Sequence, residues 1–496
     1  MSVAGALPSV LGVVGAGTMG AGIAQLGAAA GIETRLHDPD ADALERGVAS
    51  LRQGLAKLQE KGRLDGNADE AAARVTATAS LDDLAGCDLV IEAAPERPDL
   101  KRELFARLSD ICGDEAVLAT NTSSIPVTSL AGAAGRPENV VGMHFFNPPP
   151  LMKLLEVIPA DQTGQRALAV ATATGEAMGR RVIVAADGPG FLVNRCGRPF
   201  GAEALRIVQE GIATPEQVDR ICRVGGGFRM GPFELMDLVG IDVGFEVAKS
   251  FDNLSFGEPR WKPSPLQARM VAAGRLGRKT GRGWYDYGDG RHRADDPEPI
   301  DPKGEAPPVR FRGAPDELHD RAVELGLKVD GDVGPEVVSC RTASLAQQVG
   351  MTDAVGMMVS PPMDTARLAE LTRTPATLDG SAQDAEAFFT ALGLHVEWVG
   401  DSPGLVLRRI VCQLVNEAAF AVGEGVGSPE DVDAGVTLGL NHPRGPFGWA
   451  EVLSPEKVLE TIDALWAERH EERYRAAPLL RRAASLGVAL DDAAER

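Results

Sequence analysis

The stretch Val10-Leu-Gly-Val-Val-Gly-Ala-Gly-Thr-Met-Gly20 decides the fold of this chain. An apolar run ends at Gly15, glycines recur as GxGxxG at Gly15, Gly17 and Gly20, and the small residues Ala21 to Ala30 suit a closely packed helix. After Gly31, Ile32-Glu-Thr-Arg-Leu-His37 reads as a second strand, and Asp38 then stands 23 positions beyond the first glycine. Strand, glycine turn, helix, strand and acidic residue in that order form a dinucleotide-binding unit. Gly15 allows the tight turn, Gly17 lets the backbone amides of the loop, Thr18 and Met19 included, approach a pyrophosphate, and Gly20 permits close helix–strand packing. Asp38 is placed to accept hydrogen bonds from ribose hydroxyls and to repel a 2′-phosphate, which points to NAD, or else to cap the next helix.

Working outward, the alternation continues. Asp88-Leu-Val-Ile-Glu92, Val117-Leu-Ala-Thr120 and Val140-Val-Gly-Met-His-Phe-Phe146 read as strands, and Asp99 to Cys112 reads as a charged helix. Such alternation predicts a doubly wound, mostly parallel α/β Rossmann sheet over residues 1–188. From Gly190 the pattern turns helical, so an all-α domain is expected over 189–290, and the Pro-rich acidic stretch near Asp295 to Pro308 places a linker at 291–312.

The remainder repeats the first half at a constant offset of 214 residues. Asp187-Gly-Pro-Gly190 becomes Asp401-Ser-Pro-Gly404, Glu156 becomes Glu370, Glu203 becomes Glu417, Asp219 becomes Asp433, and Gly231-Pro-Phe233 becomes Gly445-Pro-Phe447. A partial duplicate is therefore expected, with a truncated Rossmann-like domain at 313–400 and a second helical domain at 401–496. The repeat starts too late to carry a glycine loop, which leaves one nucleotide site.

Composition bounds the partners. The 496 residues carry 50 Lys+Arg against 71 Asp+Glu, a net charge of −21 that disfavours nucleic acid and anionic membranes. Six cysteines, none closer than 25 positions, offer neither a metal nor a disulfide spacing, and the seven histidines suggest no metal site, so no metal is expected and the cytoplasm is the expected compartment. Met1 to Ile32 is uncharged, but it lacks a basic leader and holds seven glycines between Val10 and Ile32, so it reads as buried strand, loop and helix.

One histidine stands out. His144 lies near the end of an apolar strand, where open α/β sheets bind ligands, and its pKa range suits proton transfer near neutrality. Glu156 is placed to fix the imidazole tautomer. At the 214 offset His144 becomes Met358 while Glu370 persists, which confines the chemistry to the first half and makes Glu370 a structural relic. Asn194, whose counterpart is Arg408, suits a hydrogen bond to a substrate oxygen. Ser123 suits a substrate hydroxyl or the nicotinamide carboxamide, or a turn.

Taken together, GAGTMGAGIA, NTSSIPVTSLA, HFFNPPPLMKLLEV, DGPGFLVNR, GGGFRMGPFELMDLVGID and GRLGRKTGRGWYDY resemble the 3-hydroxyacyl-CoA dehydrogenase family across the first 290 residues. Residues 313–496 are similar to the C-terminal extension of its long bacterial members. The resemblance implies an enzyme that oxidises an L-3-hydroxyacyl-CoA to the 3-oxoacyl-CoA with NAD. His144 is the implied base, Glu156 its partner, Ser123 and Asn194 flank the substrate oxygen, and Asn147, Lys279, Glu96 and Lys101 lie beside the cofactor. Lys57 and Lys61 fall on the helix that meets CoA phosphates in relatives, or form a solvated helix face, and Gly54 stands where many relatives have a CoA-contacting serine. Long members imply 3-hydroxyadipyl-CoA, in phenylacetate degradation, as substrate; short-chain members leave 3-hydroxybutyryl-CoA as the alternative. For a distal carboxylate, Arg195, Arg198 and Arg229 are available near the helical-domain motifs. Homo-oligomers through the helical domains are implied, unless the appended helical copy covers that surface. A descendant that only binds NAD would keep the glycine loop and lose the His–Glu pair, whereas here both stand.

Overall fold

The computed structural model describes residues 7–288, 290, 292–329 and 331–494. They fall into two compact units, Met1–Asn194 with Gly425–Leu440, and Arg195–Glu424 with Asn441–Arg496.

The first unit is built on eight strands: β1 Val10–Val14, β2 Glu33–His37, β3 Val75–Thr78, β4 Leu89–Glu92, β5 Val117–Thr120, β6 Val140–Phe145, β7 Leu154–Pro159 and β8 Arg181–Val184. Their order is β3-β2-β1-β4-β5-β6-β7-β8. Every neighbouring pair is parallel except β6 with β7. The exception follows from length: only eight residues join β6 to β7, too few for a crossover helix. That reversal sets His144 directly opposite Glu156 in the ladder. Helices cover the sheet, and Leu11, Val13, Ile23, Leu36, Leu89 and Ile91 are removed from solvent in its core, at roughly 1.5–3 kcal/mol of burial each.

The second unit carries a five-stranded sheet, β9 Arg310–Arg312, β10 Glu336–Ser339, β11 Ala354–Val359, β12 Leu368–Arg373 and β13 His395–Trp398, in the order β13-β12-β11-β10-β9. The succession of parallel, parallel, antiparallel and parallel pairs from β9 to β13 repeats that from β4 to β8. Among the described residues nothing in this sheet corresponds to β1–β3, the strands that frame the glycine loop. The long helices Val193–Gln209 and Leu407–Gly423 begin at matching places in the two halves.

The structure adds detail at two expected domain limits. β9 falls inside the expected linker 291–312, and the preceding residues are strapped to the second unit: Lys303 N donates to Ala391 O at 2.8 Å and the Arg367 guanidinium to Pro297 O at 2.9 Å. Within the second helical stretch, expected over 401–496, Gly425–Leu440 packs with the first unit. The reason is close packing on bare glycine faces. A Cβ at Gly435 would stand 2.7 Å from Val193, and one at Gly439 would stand 2.9 Å from Leu154. Ala186 N also donates to Val426 O at 2.8 Å.

Candidate active site

His144 is 6% exposed near the end of β6, its ring packed 4.7 Å from that of Phe146 and 5.8 Å from that of Phe191. Its Nδ1 lies 2.7 Å from Glu156 Oε2. Glu156 is wholly buried, and its other oxygen accepts from the backbone N–H groups of Leu192 at 3.1 Å and Val193 at 2.9 Å. A carboxylate only accepts, so Nδ1 carries the ring proton and Nε2 presents a lone pair. Nε2 has no hydrogen-bond partner among the described residues. Because Glu156 also holds the first turn of the helix Val193–Gln209, one carboxylate sets both the imidazole and Asn194, the half-buried residue that follows Val193.

The glycine loop meets its expected demands. Gly15 has φ +102°, and a Cβ there would stand 2.7 Å from the Ala93 carbonyl oxygen. At Gly20 a side chain would overlap the backbone of Gly15, whereas Gly17 faces open space. Gly17 is also the N-cap of the helix Thr18–Ala29 and no side chain caps that end, so its first-turn amides, near Thr18 and Met19, are directed at the open space. Asp38 Oδ2 accepts from Ala16 N at 2.8 Å, which ties the carboxylate to the loop. It does not cap the next helix: Asp40 does, accepting from Asp42 N at 2.9 Å and Ala43 N at 3.2 Å. The loop and Asp38 thus fit a dinucleotide lacking a 2′-phosphate.

Beside the loop lies a network that sequence reading missed. Glu92, fully buried at the end of β4, accepts from Lys101 Nζ at 2.7 Å, from the Thr120 hydroxyl at 2.8 Å and from Ala94 N at 2.7 Å. Lys101 is 1% exposed, and its ammonium is committed to Glu92 and, at 3.3 Å, to Glu96. Lys101 is therefore not exposed toward a ligand; Glu96 is the partly exposed member of the pair. Glu96 accepts from the Thr122 hydroxyl, from Ser123 N at 3.2 Å and from the Ser124 hydroxyl at 2.9 Å. Burial works against its charge, but Lys101 and these hydroxyls hold its pKa below the ordinary carboxylate value. The backbone at Ser123 is thereby fixed while its own hydroxyl stays half-buried and without a protein partner among the described residues. A charge ending the apolar run Leu89-Val-Ile-Glu92 was the available signal.

The other expected residues are dispersed. Asn147 is exposed just beyond β6. Lys57 and Lys61 are exposed on and just after the helix Ala41–Glu60, and a Cβ at Gly54 would overlap the amide of buried Gln25, which explains the missing serine by packing. In the second unit, Lys279 Nζ pairs with Asp242 at 2.6 Å. Arg195 is removed from consideration as a carboxylate receptor, since Glu417 at 2.8 Å and Glu424 at 2.7 Å already occupy it. Arg198 lies over the Phe251 ring at 4.6 Å, and Arg229 is exposed. Among the described residues no cluster of His, Cys, Asp and Glu has a metal-binding arrangement, and no helix is long and apolar enough to cross a membrane.

Residues 10–188 match the model of the 3-hydroxyacyl-CoA dehydrogenase NAD binding domain. The C-terminal domain model of the same family matches twice, at 190–287 and 404–493. The chain is 34% identical to 3-hydroxyadipyl-CoA dehydrogenase of Escherichia coli strain K12 over 96% of its own length and 97% of that protein. It is 43% identical to a probable 3-hydroxybutyryl-CoA dehydrogenase of Deinococcus radiodurans over 56% of its length and 99% of the relative. A crystal structure of 3-hydroxybutyryl-CoA dehydrogenase from Escherichia coli K12 superposes with a TM-score of 0.86 at 33% identity, covering 97% of this chain and 98% of that one.

Proposed function

Because this chain belongs to the 3-hydroxyacyl-CoA dehydrogenase family, we propose that it oxidises an L-3-hydroxyacyl-CoA to the 3-oxoacyl-CoA at a single site in its first half, with 3-hydroxyadipyl-CoA of phenylacetate degradation as the substrate. The observation that carries this reading is the His144–Glu156 pair, 2.7 Å apart and anchored to the start of the helix that bears Asn194. His144 Nε2 takes the proton of the 3-hydroxyl group. Glu156 stabilises the imidazolium that results, and Asn194 and Ser123 hydrogen-bond the oxygen as it becomes a carbonyl. NAD would be held by Gly15, Gly17, Gly20 and Asp38, beside Glu96 and Asn147, and would supply the hydride acceptor. Lys57 and Lys61 serve the CoA phosphates, giving local positive charge on a chain whose net charge is −21.

The full-length similarity to a 3-hydroxyadipyl-CoA enzyme favours the dicarboxylic substrate. 3-Hydroxybutyryl-CoA is the second reading, favoured by the identity of the first half to short-chain enzymes and by the engagement of Arg195 with two glutamates. NADH formation measured with both substrates separates them: a higher kcat/KM for the adipyl thioester supports the first, a higher value for the butyryl thioester the second, and no turnover of either removes the enzyme assignment.

The second half is proposed to be a partial duplicate with no nucleotide site. Its support is the repeated match of one domain model and the common strand succession. A cytoplasmic location is supported by six cysteines that are all buried and in no disulfide.

A further inference from the structure

In the second unit a cavity of about 50 Å³ lies between β11, the start of the helix Leu407–Gly423 and the helix Pro455–Arg469; Ser339, Arg341, Met358, Arg408 and Lys457 are in its lining. Arg408 is 6% exposed. Its Nε donates to Thr461 Oγ1 at 3.0 Å and its Nη2 to Lys457 O at 2.9 Å. Both acceptors are neutral. Among the described residues no carboxylate pairs with this guanidinium, and Nη1 has no partner. Its neighbour Arg409, wholly buried, is paired with Glu203 and Glu210, which is the ordinary way a chain tolerates such a charge. Burial, with Arg341 nearby, holds the Arg408 pKa below the usual guanidinium value despite the opposing field of Glu460.

The surrounding charges do not supply the missing partner. Arg341 is engaged by Glu460 at 2.8 Å. Lys457 and Glu317 are exposed side chains of opposite sign at the rim, which leaves Arg408 in excess. Met358 faces Glu370 across the ladder in the register that His144 and Glu156 hold in the other sheet, and Arg408 takes the position of Asn194. This half has thus replaced a base by a thioether and a neutral amide by a cation, a change that removes proton transfer and adds recognition of negative charge.

We propose that this cavity binds a small oxyanion, a carboxylate or a phosphate group, on Arg408 Nη1. The planar guanidinium offers directed donors, and the Met358 thioether and other apolar side chains form part of the wall beside it.

The test is calorimetric titration of the full chain, saturated with NADH to occupy the glycine loop, with inorganic phosphate and with acetate at an ionic strength balanced by chloride. Saturable binding that weakens by at least about tenfold in Arg408→Gln is expected; tighter phosphate identifies a phosphoryl ligand and tighter acetate a carboxylate. No saturable binding of either anion, or equal binding in wild type and variant, overturns the proposal. Should Arg408→Gln fail to fold, crystals of the unmodified chain soaked separately in phosphate and acetate decide. Oxyanion density on Nη1 in either soak supports the site, and water alone in both overturns it.

Discussion

Arg195 donates from Nε to Glu417 at 2.8 Å, across 222 positions of chain. The same contact recurs with the halves exchanged: Arg409, 214 residues beyond Arg195, donates from Nε to Glu203, 214 residues before Glu417. The outer pair repeats too, Arg195 with Glu424 at 2.7 Å and Arg409 with Glu210 at 2.9 Å. Residue i meeting j while the counterpart of j meets the counterpart of i is the rule of a two-fold interface, here written within one chain. The sheets carry the same exchange. Ala186 N donates to Val426 O at 2.8 Å and Gly400 N to Ile212 O at 2.6 Å, again related by 214.

Replacing Arg409 by Met leaves Glu203 buried without its counter-charge. A loss of about 3–5 kcal/mol in unfolding free energy is expected. Urea denaturation checks it, and a second change, Glu203→Leu, recovers much of the loss.

A chain truncated after Gly290 loses Gly425–Leu440 and so uncovers Leu154, Val193 and Phe146, which pack on Gly435 and Gly439. The exposed face then recruits the Ile212–Gly225 segment of a second copy. Light scattering is expected to report a dimer for the truncated chain, and an unchanged monomer mass would contradict the exchange.

His144→Gln removes the proton acceptor while keeping the ring-sized polar group beside Glu156. Turnover falls by about 10²-fold or more, and NADH affinity, measured by fluorescence, stays within error because the glycine loop is untouched. Loss of both together would mean that His144 supports the fold instead.

Glu370 keeps the structural half of the Glu156 role, accepting from Val406 N at 2.7 Å and Leu407 N at 3.2 Å, but faces Met358. Burial pushes its pKa up to about 8, against the two amides that favour the charge. The folded state then binds a proton that the unfolded chain releases near its ordinary carboxylate pKa. Its contribution is full below that unfolded value and is lost as pH rises through about 8. Glu370→Gln is expected to flatten this part of the stability profile, so that variant and wild type diverge most above the folded pKa.

Gly54→Ser restores the hydroxyl seen in many relatives but sets a Cβ against the Gln25 amide. Overpacking of about 1–3 kcal/mol is expected in denaturation, with no fall in KM for the acyl-CoA. A lower KM with unchanged stability would contradict the packing explanation.

Much of the site was legible because its elements are local. GxGxxG places three glycines within one turn of chain, and His144 and Glu156 are 12 positions apart on strands joined by a short loop. The Glu92–Lys101–Glu96 network was not legible. Lys101 reads as one charge on an amphipathic helix, and only the fold brings its buried ammonium onto Glu92 at the end of β4. For Asp38 and Asp40, two acids one residue apart, either could cap; backbone direction gives the cap to Asp40.

The sequence by itself determined the glycine loop, the His144–Glu156 pair and the repeat at 214, because these depend on residue type and spacing along the chain. Tertiary structure alone decided that Arg195 serves an ion pair instead of a ligand, that Gly425–Leu440 packs on the first sheet, and that Arg408 lies buried without a counter-ion. The first two depend on groups more than 200 residues apart and the third on a helix 49 to 53 positions on; charge pairing and desolvation act through space, where chain spacing carries no information.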